Sequence, residues 1–193
     1  MITRVRYESG ETFPDFMARA KPNDDLWSAM LRRVSIPPEM SARVQALGGR
    51  WHLLVLSEDW CGDSINILPI VSRLVDSVTN MDLRLFGRDA NPDIMDAHLT
   101  GTSRSIPIVI LLNEKFQECG WWGPRPFALQ RWVKEKGMAL DPADRYREIR
   151  TFYARDRGAT TIEELVSMLE ACCRKHGGSR PAALGHPPSS QPG

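Results

Sequence analysis

The sequence predicts an α/β fold with a central sheet flanked by helices, and three observations carry this prediction. The largely apolar run at 51–56 is typical of a buried strand. After Ser64, apolar side chains recur at helical spacing, so a helix is expected over 61–78. Two further strand-like segments, 82–87 and 107–112, are separated from the first by helical segments, and this alternation favours a sheet with helices on both faces.

Helices are also expected before this core, as an N-terminal extension of the fold at 11–49. Thr12, followed by a proline and an acidic residue, has the pattern of a helix N-cap, and residues 1–10 before it are expected to be irregular. The extension is expected to hold helices from Thr12 to about Ala20, from Asn23 or Asp24 to Val34, and from Pro37 to Gly48. In the second of these, the side chains expected to face inward are Leu26, Met30 and Leu31, with Trp27 beside them.

The later elements complete a mixed sheet and add a C-terminal helical extension at 141–176. They are expected to be a short helix from Pro92 to about His98, an antiparallel edge strand at 116–122, a helix from Pro124 to Gly137, and helices from Asp141 to about Arg155 and from Thr160 onward. Residues 1–176 are therefore expected to form a single domain with its core at about 51–137. The final segment, 177–193, has little apolar content and is expected to be disordered.

The composition excludes several classes of function. The 193 residues are 42% hydrophobic and 25% charged, as in an ordinary globular protein, and the net charge of +1 gives no attraction for nucleic acid or an acidic membrane surface. No stretch resembles a signal peptide or a bilayer span, so the expected compartment is the cytoplasm, where thiols stay reduced. The four histidines form no ligand spacing with the four cysteines, and no metal site or bound cofactor is predicted. The composition specifies no oligomeric state.

Cys61 is the candidate nucleophile because of its place between two predicted elements. It follows the first strand and stands at or beside the N-terminus of the next helix. Unpaired backbone N–H groups and the helix dipole favour an anion there, and for a cysteine the anion is the nucleophilic thiolate. The alternative is a small buried cysteine that packs as a hydrophobic residue. The residues that follow, Gly62 to Ser64, are hardly core residues and favour the first interpretation.

The residues around Cys61 resemble the active-site motif of the thioredoxin family. The family pattern is Trp-Cys-Gly-x-Cys, and this chain has Trp60-Cys61-Gly62-Asp63-Ser64. Further parts of the family pattern follow in order: Pro69 as the helix proline, Asp89-Ala90-Asn91-Pro92 after the second core strand, Ile106-Pro107 as the cis-proline, and Gly123 as the substrate-loop glycine. The resemblance covers about 51–137 and implies a thioredoxin-like fold.

The resemblance also implies which residues contact a substrate. The Ile106–Pro107 bond is expected to be cis and to lie against the turn that holds Cys61. The backbone of Ile106 is expected to pair with an extended substrate segment, a form of strand addition. Gly123 is expected in the same groove, and Trp60 is expected to line it.

Two charged residues near the motif have alternative interpretations. Asp63 brings a carboxylate close to Cys61, which disfavours a second negative charge there, but an acidic residue in the first turn of a helix is also stabilising by itself. Arg104 is expected either to lie across the groove, where it would offset the charge of Asp63 and contact substrate, or to be a solvated loop residue.

The chain departs from the family pattern at two positions. Ser64 stands where the family has its second cysteine, and Val55 stands where thioredoxins bury an aspartate that assists proton transfer. A serine cannot attack a disulfide. An intermediate on Cys61 is therefore expected to be cleared by an external thiol such as glutathione, or by a distant cysteine of the same chain.

The distant cysteines are expected to be packing residues. Cys172 and Cys173 continue the apolar stripe of the last helix, and Cys119 lies on the edge strand away from Cys61. The expected function is a thioredoxin-like thiol–disulfide oxidoreductase with one nucleophilic cysteine, acting on disulfides of proteins or small thiols. The alternative is a redox-inactive module of the same fold that binds proteins or peptides in the groove.

Overall fold

The computed structural model describes residues 1–20 and 24–175, and in them a four-stranded mixed sheet is flanked by helices. The strands are β1 (Trp51–Ser57), β2 (Met81–Gly87), β3 (Ile108–Leu112) and β4 (Glu118–Trp122). The helices are α1 (Arg4–Glu8), α2 (Phe13–Arg19), α3 (Asp24–Arg33), α4 (Pro38–Ala46), α5 (Gly62–Asp76), α6 (Pro92–Asp96), α7 (Phe127–Glu135), α8 (Pro142–Asp156) and α9 (Ala159–Lys175), with a short 3-10 helix at Gly137–Ala139. The predicted fold class and both helical extensions are confirmed.

The sheet order is β2-β1-β3-β4, with β1 and β2 parallel and the other neighbours antiparallel. All seven residues of β1 are buried, because β1 has a strand on each side and helices on both faces. Its carboxyl end and the amino end of β3 lie together, since Leu56 pairs with Ile108. This end of the sheet holds the turn that leads to Cys61.

Alternate residues of the central strands enter two separate cores. Leu53 and Val55 face the larger one, to which α5 and α9 contribute. Leu54 and Leu56 face the smaller one, which contains residues of α1 and α6 and also Cys61. The alternation follows from the two-residue period of a strand, which sends successive side chains to opposite faces.

The expectation that residues 1–10 are irregular is wrong. They contain α1, where the Thr3 side chain caps the helix by accepting from the Arg6 amide. A five-residue helix is not stable alone, so α1 depends on its packing against the rest of the fold. The ring of Tyr7 is buried against Phe116 and His52, and its hydroxyl donates to Asp82.

The inward face expected for α3 is also partly wrong. Leu26 is 55% exposed, whereas Trp27 is fully buried and lies edge-on to Phe16 of α2. The indole of Trp27 also donates to the carbonyl oxygen of Asp59 at 3.3 Å. The large ring therefore decides which face of α3 turns inward, and it ties the N-terminal extension to the turn before Cys61.

Cys119 and Cys172 do not pack separately, as the sequence led us to expect. They form a disulfide between β4 and α9, with 5.6 Å between their Cα atoms. The expectation failed because the pair is 53 residues apart and only the docking of α9 on the sheet brings it together. Cys173 is buried in the larger core, as predicted.

Two expectations concern residues outside the described ranges. The possible N-cap at Asn23 and the predicted disorder of 177–193 both fall there. Within 1–20 and 24–175, no helix is long and apolar enough to cross a membrane.

The position of Trp27 gives a test of the N-terminal extension. Trp27→Ala should lower the free energy of unfolding by about 3–5 kcal/mol, because it removes a fully buried ring and leaves a cavity. The neighbouring Leu26→Ala should change it by less than about 0.5 kcal/mol, since this side chain is largely exposed. Urea unfolding measures both. Equal losses in the two variants would contradict the assignment of Trp27 to the core.

Candidate active site

Cys61 is the N-cap residue of α5, directly after the turn that leaves β1. It is 8% exposed, and its thiol donates to the carbonyl oxygen of Ile106 at 3.5 Å. The helix N-terminus favours the thiolate, whereas the contact with the carbonyl favours the thiol, because only the thiol can donate to it. Gly62 beside it is exposed, so the site opens to solvent on that side.

The segment opposite Cys61 has the geometry that the sequence predicted. The Ile106–Pro107 bond is cis, and the contact between Cys61 and Ile106 puts this bond against the active-site turn. Gly123 lies behind it with a φ of +133°, and a Cβ at this position would overlap the carbonyl oxygen of Pro107. A glycine is therefore required for this close approach. The following bond, Gly123–Pro124, is also cis and was not predicted.

Ser64 lies one helical turn after Cys61 and is fully buried. Its hydroxyl oxygen accepts from the hydroxyl of Ser57 at 2.9 Å. The two hydroxyls bond to one another inside the core, and Val55 is also fully buried. The position of the family's second cysteine thus carries a hydroxyl that is held by another hydroxyl.

Asp63 belongs to a buried charged cluster that the sequence did not predict. Its side chain is 10% exposed and pairs with the guanidinium of Arg125, whose side chain is 16% exposed. Tyr153 of α8 donates its hydroxyl to the same carboxylate at 2.8 Å. Arg125 also donates to the side chain of Gln130 at 3.0 Å. A charge this deeply buried has to be compensated, and Arg125 supplies the compensation.

The phenol of Tyr153 is held in its neutral form. Burial raises its pKa well above the usual value of 10, and the neighbouring Asp63 carboxylate raises it further. A tyrosinate beside this carboxylate would be a second anion in the same buried cluster. Tyr153 therefore acts as a permanent donor to Asp63 over the whole neutral range of pH.

Arg104 does not lie across the groove from Asp63. It forms a bidentate pair with Asp96 at 2.7 Å for both contacts, and both side chains are 48% exposed. The alternative interpretation, a solvated loop arginine, describes its place. Arg125 offsets the charge of Asp63 instead. The position of Arg125 two residues after Gly123 could have indicated this pairing, because the loop that holds Gly123 faces Cys61.

Trp60 is the most exposed large side chain of the motif, with 52% of its surface open. The guanidinium of Arg88 lies over its ring, with 5.1 Å from its central carbon to the ring centroid. Arg88 also pairs with Asp89 and donates to the carbonyl oxygen of Arg104. Trp60 thus presents one exposed apolar ring face next to Cys61.

The described residues do not bring three or more His, Cys, Asp or Glu side chains together in a way that would hold a metal ion. What the arrangement offers is one thiol at a helix N-terminus, an adjacent backbone segment with a cis-proline, and a neutralised carboxylate. These are the parts needed for nucleophilic attack by sulfur on an extended substrate.

Residues 10–141 match the model of a protein family described as thioredoxin. The curated proteins include no match to this chain. Two solved structures have a similar fold: a protein of unknown function from Pseudomonas aeruginosa with a TM-score of 0.71, and an HIV epitope scaffold with a TM-score of 0.68. Each is 20% identical, and each comparison covers 88% of this chain and 98% of the other. At this identity the likeness shows the fold alone.

The two arginine pairs give a matched comparison of buried and exposed charge. Arg125→Ala should lower the free energy of unfolding by roughly 3–5 kcal/mol, because it leaves the Asp63 carboxylate buried without its cation. Arg104→Ala should leave it nearly unchanged, since water solvates Asp96 on the surface. Denaturant unfolding measures both. A loss for Arg125→Ala no larger than that for Arg104→Ala would contradict the buried-pair assignment.

Tyr153 makes stability depend on pH in the alkaline range. The unfolded chain releases a tyrosine proton above about pH 10, while the folded protein keeps it, so the free energy of unfolding should fall by about 1.4 kcal/mol per pH unit above that pH for this group. In Tyr153→Phe, the fall in the free energy of unfolding between pH 10 and 11 should be smaller by about 1 kcal/mol, because the unfolded tyrosine is only about half ionised at pH 10. Tyr146→Phe is the control, because Tyr146 is 52% exposed. An unchanged slope in Tyr153→Phe would show that Tyr153 ionises equally in both states.

Proposed function

The chain belongs to the thioredoxin family, and we propose that it is a thiol–disulfide oxidoreductase that acts through Cys61 as its single nucleophile. The observation that carries the proposal is the contact of the Cys61 thiol with Ile106 at a helix N-terminus, beside the cis bond to Pro107. The proposed substrates are disulfides of proteins or small thiols, and the proposed compartment is the cytoplasm.

The reaction begins when the Cys61 thiol gives up its proton to solvent and so loses its hydrogen bond to Ile106. The thiolate attacks one sulfur of the substrate disulfide, the substrate bond breaks, and a mixed disulfide forms on Cys61. The leaving thiolate takes a proton from solvent. An extended substrate segment binds the backbone of Ile106, and Trp60 offers an apolar surface beside the reacting sulfur.

The second step requires a thiol from outside. Ser64 has no sulfur, and its hydroxyl oxygen is held by Ser57. An external thiol such as glutathione attacks the mixed disulfide, regenerates the Cys61 thiol and leaves with the substrate sulfur as a new disulfide. No bound cofactor takes part in either step.

Cys119 and Cys172 do not supply an internal resolving thiol in this arrangement. Cys61 lies at the Ile106 end of β3, near the end of β4 where Trp122 pairs with Val109. Cys119 is three residues before Trp122, about 10 Å along the strand, and its sulfur is bonded to Cys172. The mixed disulfide is therefore proposed to wait for a small thiol.

Arg125 compensates the charge of the Asp63 carboxylate, which lies two residues from the proposed nucleophile. An unpaired Asp63 would disfavour the Cys61 thiolate by direct charge repulsion. The pairing of Asp63 with Arg125 and Tyr153 removes most of this field. Asp63 and Arg125 are thus positioning residues, which act on the electrostatics of Cys61 without touching a substrate.

One observation favours a second candidate function, a redox-inactive module that binds peptides in the groove. Cys61 is 8% exposed and its thiol donates to a carbonyl oxygen, and both features favour the neutral thiol. In this function the Ile106 backbone and Trp60 bind an extended segment and no bond is made to sulfur.

The lifetime of the mixed disulfide separates the two functions. Wild-type protein treated with an aromatic disulfide, dithiobis(nitrobenzoate), should release one equivalent of coloured thiolate and carry one adduct at Cys61, visible by intact mass. The adduct should persist until glutathione is added, because residue 64 is a serine. Ser64→Cys should release a second equivalent quickly and form a disulfide between positions 61 and 64.

Cys61→Ser is the control for labelling elsewhere and should carry no adduct. Failure of the wild type to form an adduct would favour the binding module. Clearance of the wild-type adduct without added thiol, abolished by substitution of Cys173 or of the Cys119–Cys172 pair, would mean that a resolving cysteine exists.

A further inference from the structure

We propose that α9 braces the active-site loop through Glu164, and that the Cys119–Cys172 disulfide makes this brace sensitive to redox conditions, so that reduction of the disulfide lowers the reactivity of Cys61. The active-site loop is defined as residues 123–126, between β4 and α7. The inference adds regulation to the proposed function of Cys61 and rests on it.

Glu164 holds the active-site loop from both ends. The indole of Trp122, the last residue of β4, donates to its carboxylate at 2.6 Å. The backbone amide of Phe127, the first residue of α7, donates to both carboxylate oxygens at 3.0 and 3.1 Å. The same carboxylate thus fixes the residue before the loop and the residue after it, and it satisfies an otherwise unpaired amide at the N-terminus of α7.

The loop between these two contacts carries groups that reach the active site. Gly123 lies against the carbonyl of Pro107, and Arg125 pairs with Asp63 two residues from Cys61. A displacement of the loop would move the guanidinium away from the carboxylate. Glu164 touches neither Cys61 nor the groove, so it is a positioning residue that acts through the loop.

The disulfide lies on the same interface between β4 and α9 as Glu164. Along β4, Cys119 precedes Trp122 by three residues, about 10 Å. Along α9, Cys172 follows Glu164 by eight residues, about 12 Å. The two spacings are similar. The disulfide therefore fixes the position of α9 along β4 at Cys119, and this position places Glu164 beside Trp122 at the other end of the strand.

The chemistry of a switch is available at this disulfide. A dithiol reductant attacks the Cys119 sulfur on the edge strand, since Cys172 is 2% exposed. The disulfide takes up two electrons and two protons to give two thiols, and the reductant becomes a disulfide. In a reducing compartment, disulfides of this kind are usually transient and redox-sensing.

The direction of the effect follows from charge. When α9 is no longer bonded to β4, the loop is held less firmly and Arg125 pairs with Asp63 for less of the time. The uncompensated carboxylate disfavours a thiolate at Cys61. Reduction should therefore slow the reaction of Cys61 at neutral pH.

The test uses full-length protein with the disulfide formed and the double variant Cys119→Ser/Cys172→Ser. The rate of Cys61 alkylation by iodoacetamide is measured at pH 7 by mass spectrometry of the peptide that contains Cys61, and amide exchange is measured on the peptide that contains Phe127. The double variant should be alkylated roughly three- to tenfold more slowly, with faster exchange at Phe127. Glu164→Gln should shift both quantities in the same direction.

Cys173→Ser is the matched control, because Cys173 is the buried neighbour of Cys172 and is not in the disulfide. It should react and exchange like the wild type. A folded double variant with wild-type alkylation and wild-type protection of Phe127 would overturn the proposal, as would equal effects in Cys173→Ser.

Wild-type protein with and without prior reduction by dithiothreitol provides the same comparison without any substitution, should the double variant not fold. The two proposals fail in different ways. If Cys61 of the wild type reacts with no disulfide, the proposed function is contradicted. If amide exchange at Phe127 is the same in oxidised and reduced protein, the proposal that the disulfide controls the brace is contradicted.

Discussion

The antiparallel pairing of β1 with β3 is the constraint on which the site depends. It brings the carboxyl end of β1 beside the amino end of β3, so that the turn after one strand meets the segment before the other. Cys61 and Ile106 are 45 positions apart in sequence, yet they touch for this reason. The fully buried β1 makes the pairing rigid, because a shift of one residue would turn every apolar side chain to the wrong core.

The charges near Cys61 are arranged so that the carboxylate of its own motif does not act on the thiol uncompensated. Asp63 would be harmful as a free carboxylate, and it is instead shared between Arg125 and a tyrosine that stays neutral. Arg88 and Arg104 are occupied by carboxylates on the surface. The buried pair is the one whose geometry matters for chemistry, because low solvent exposure leaves its charges unscreened.

Both helical extensions contribute to the site and are more than additions around a finished core. Trp27 of the N-terminal extension donates to the carbonyl of Asp59, in the turn that delivers Cys61. Glu164 of the C-terminal extension holds the loop that delivers Arg125. The thioredoxin core thus supplies Cys61 and the cis-proline segment, while the extensions fix the turn and the loop that surround them.

The sequence by itself determined the two elements whose origin is local, the strand before Cys61 and the helix after it. Hydrophobic period acts over a few residues, so it can be read along the chain. The cis bond at Pro107 and the glycine at position 123 were predicted through the resemblance to the thioredoxin family, and the contact that requires the glycine is tertiary. Only the tertiary structure decided the partner of Asp63, since Arg125 and Tyr153 come from elements 62 and 90 residues away. The disulfide of Cys119 was hidden for the same reason, because its partner reaches β4 only when α9 docks.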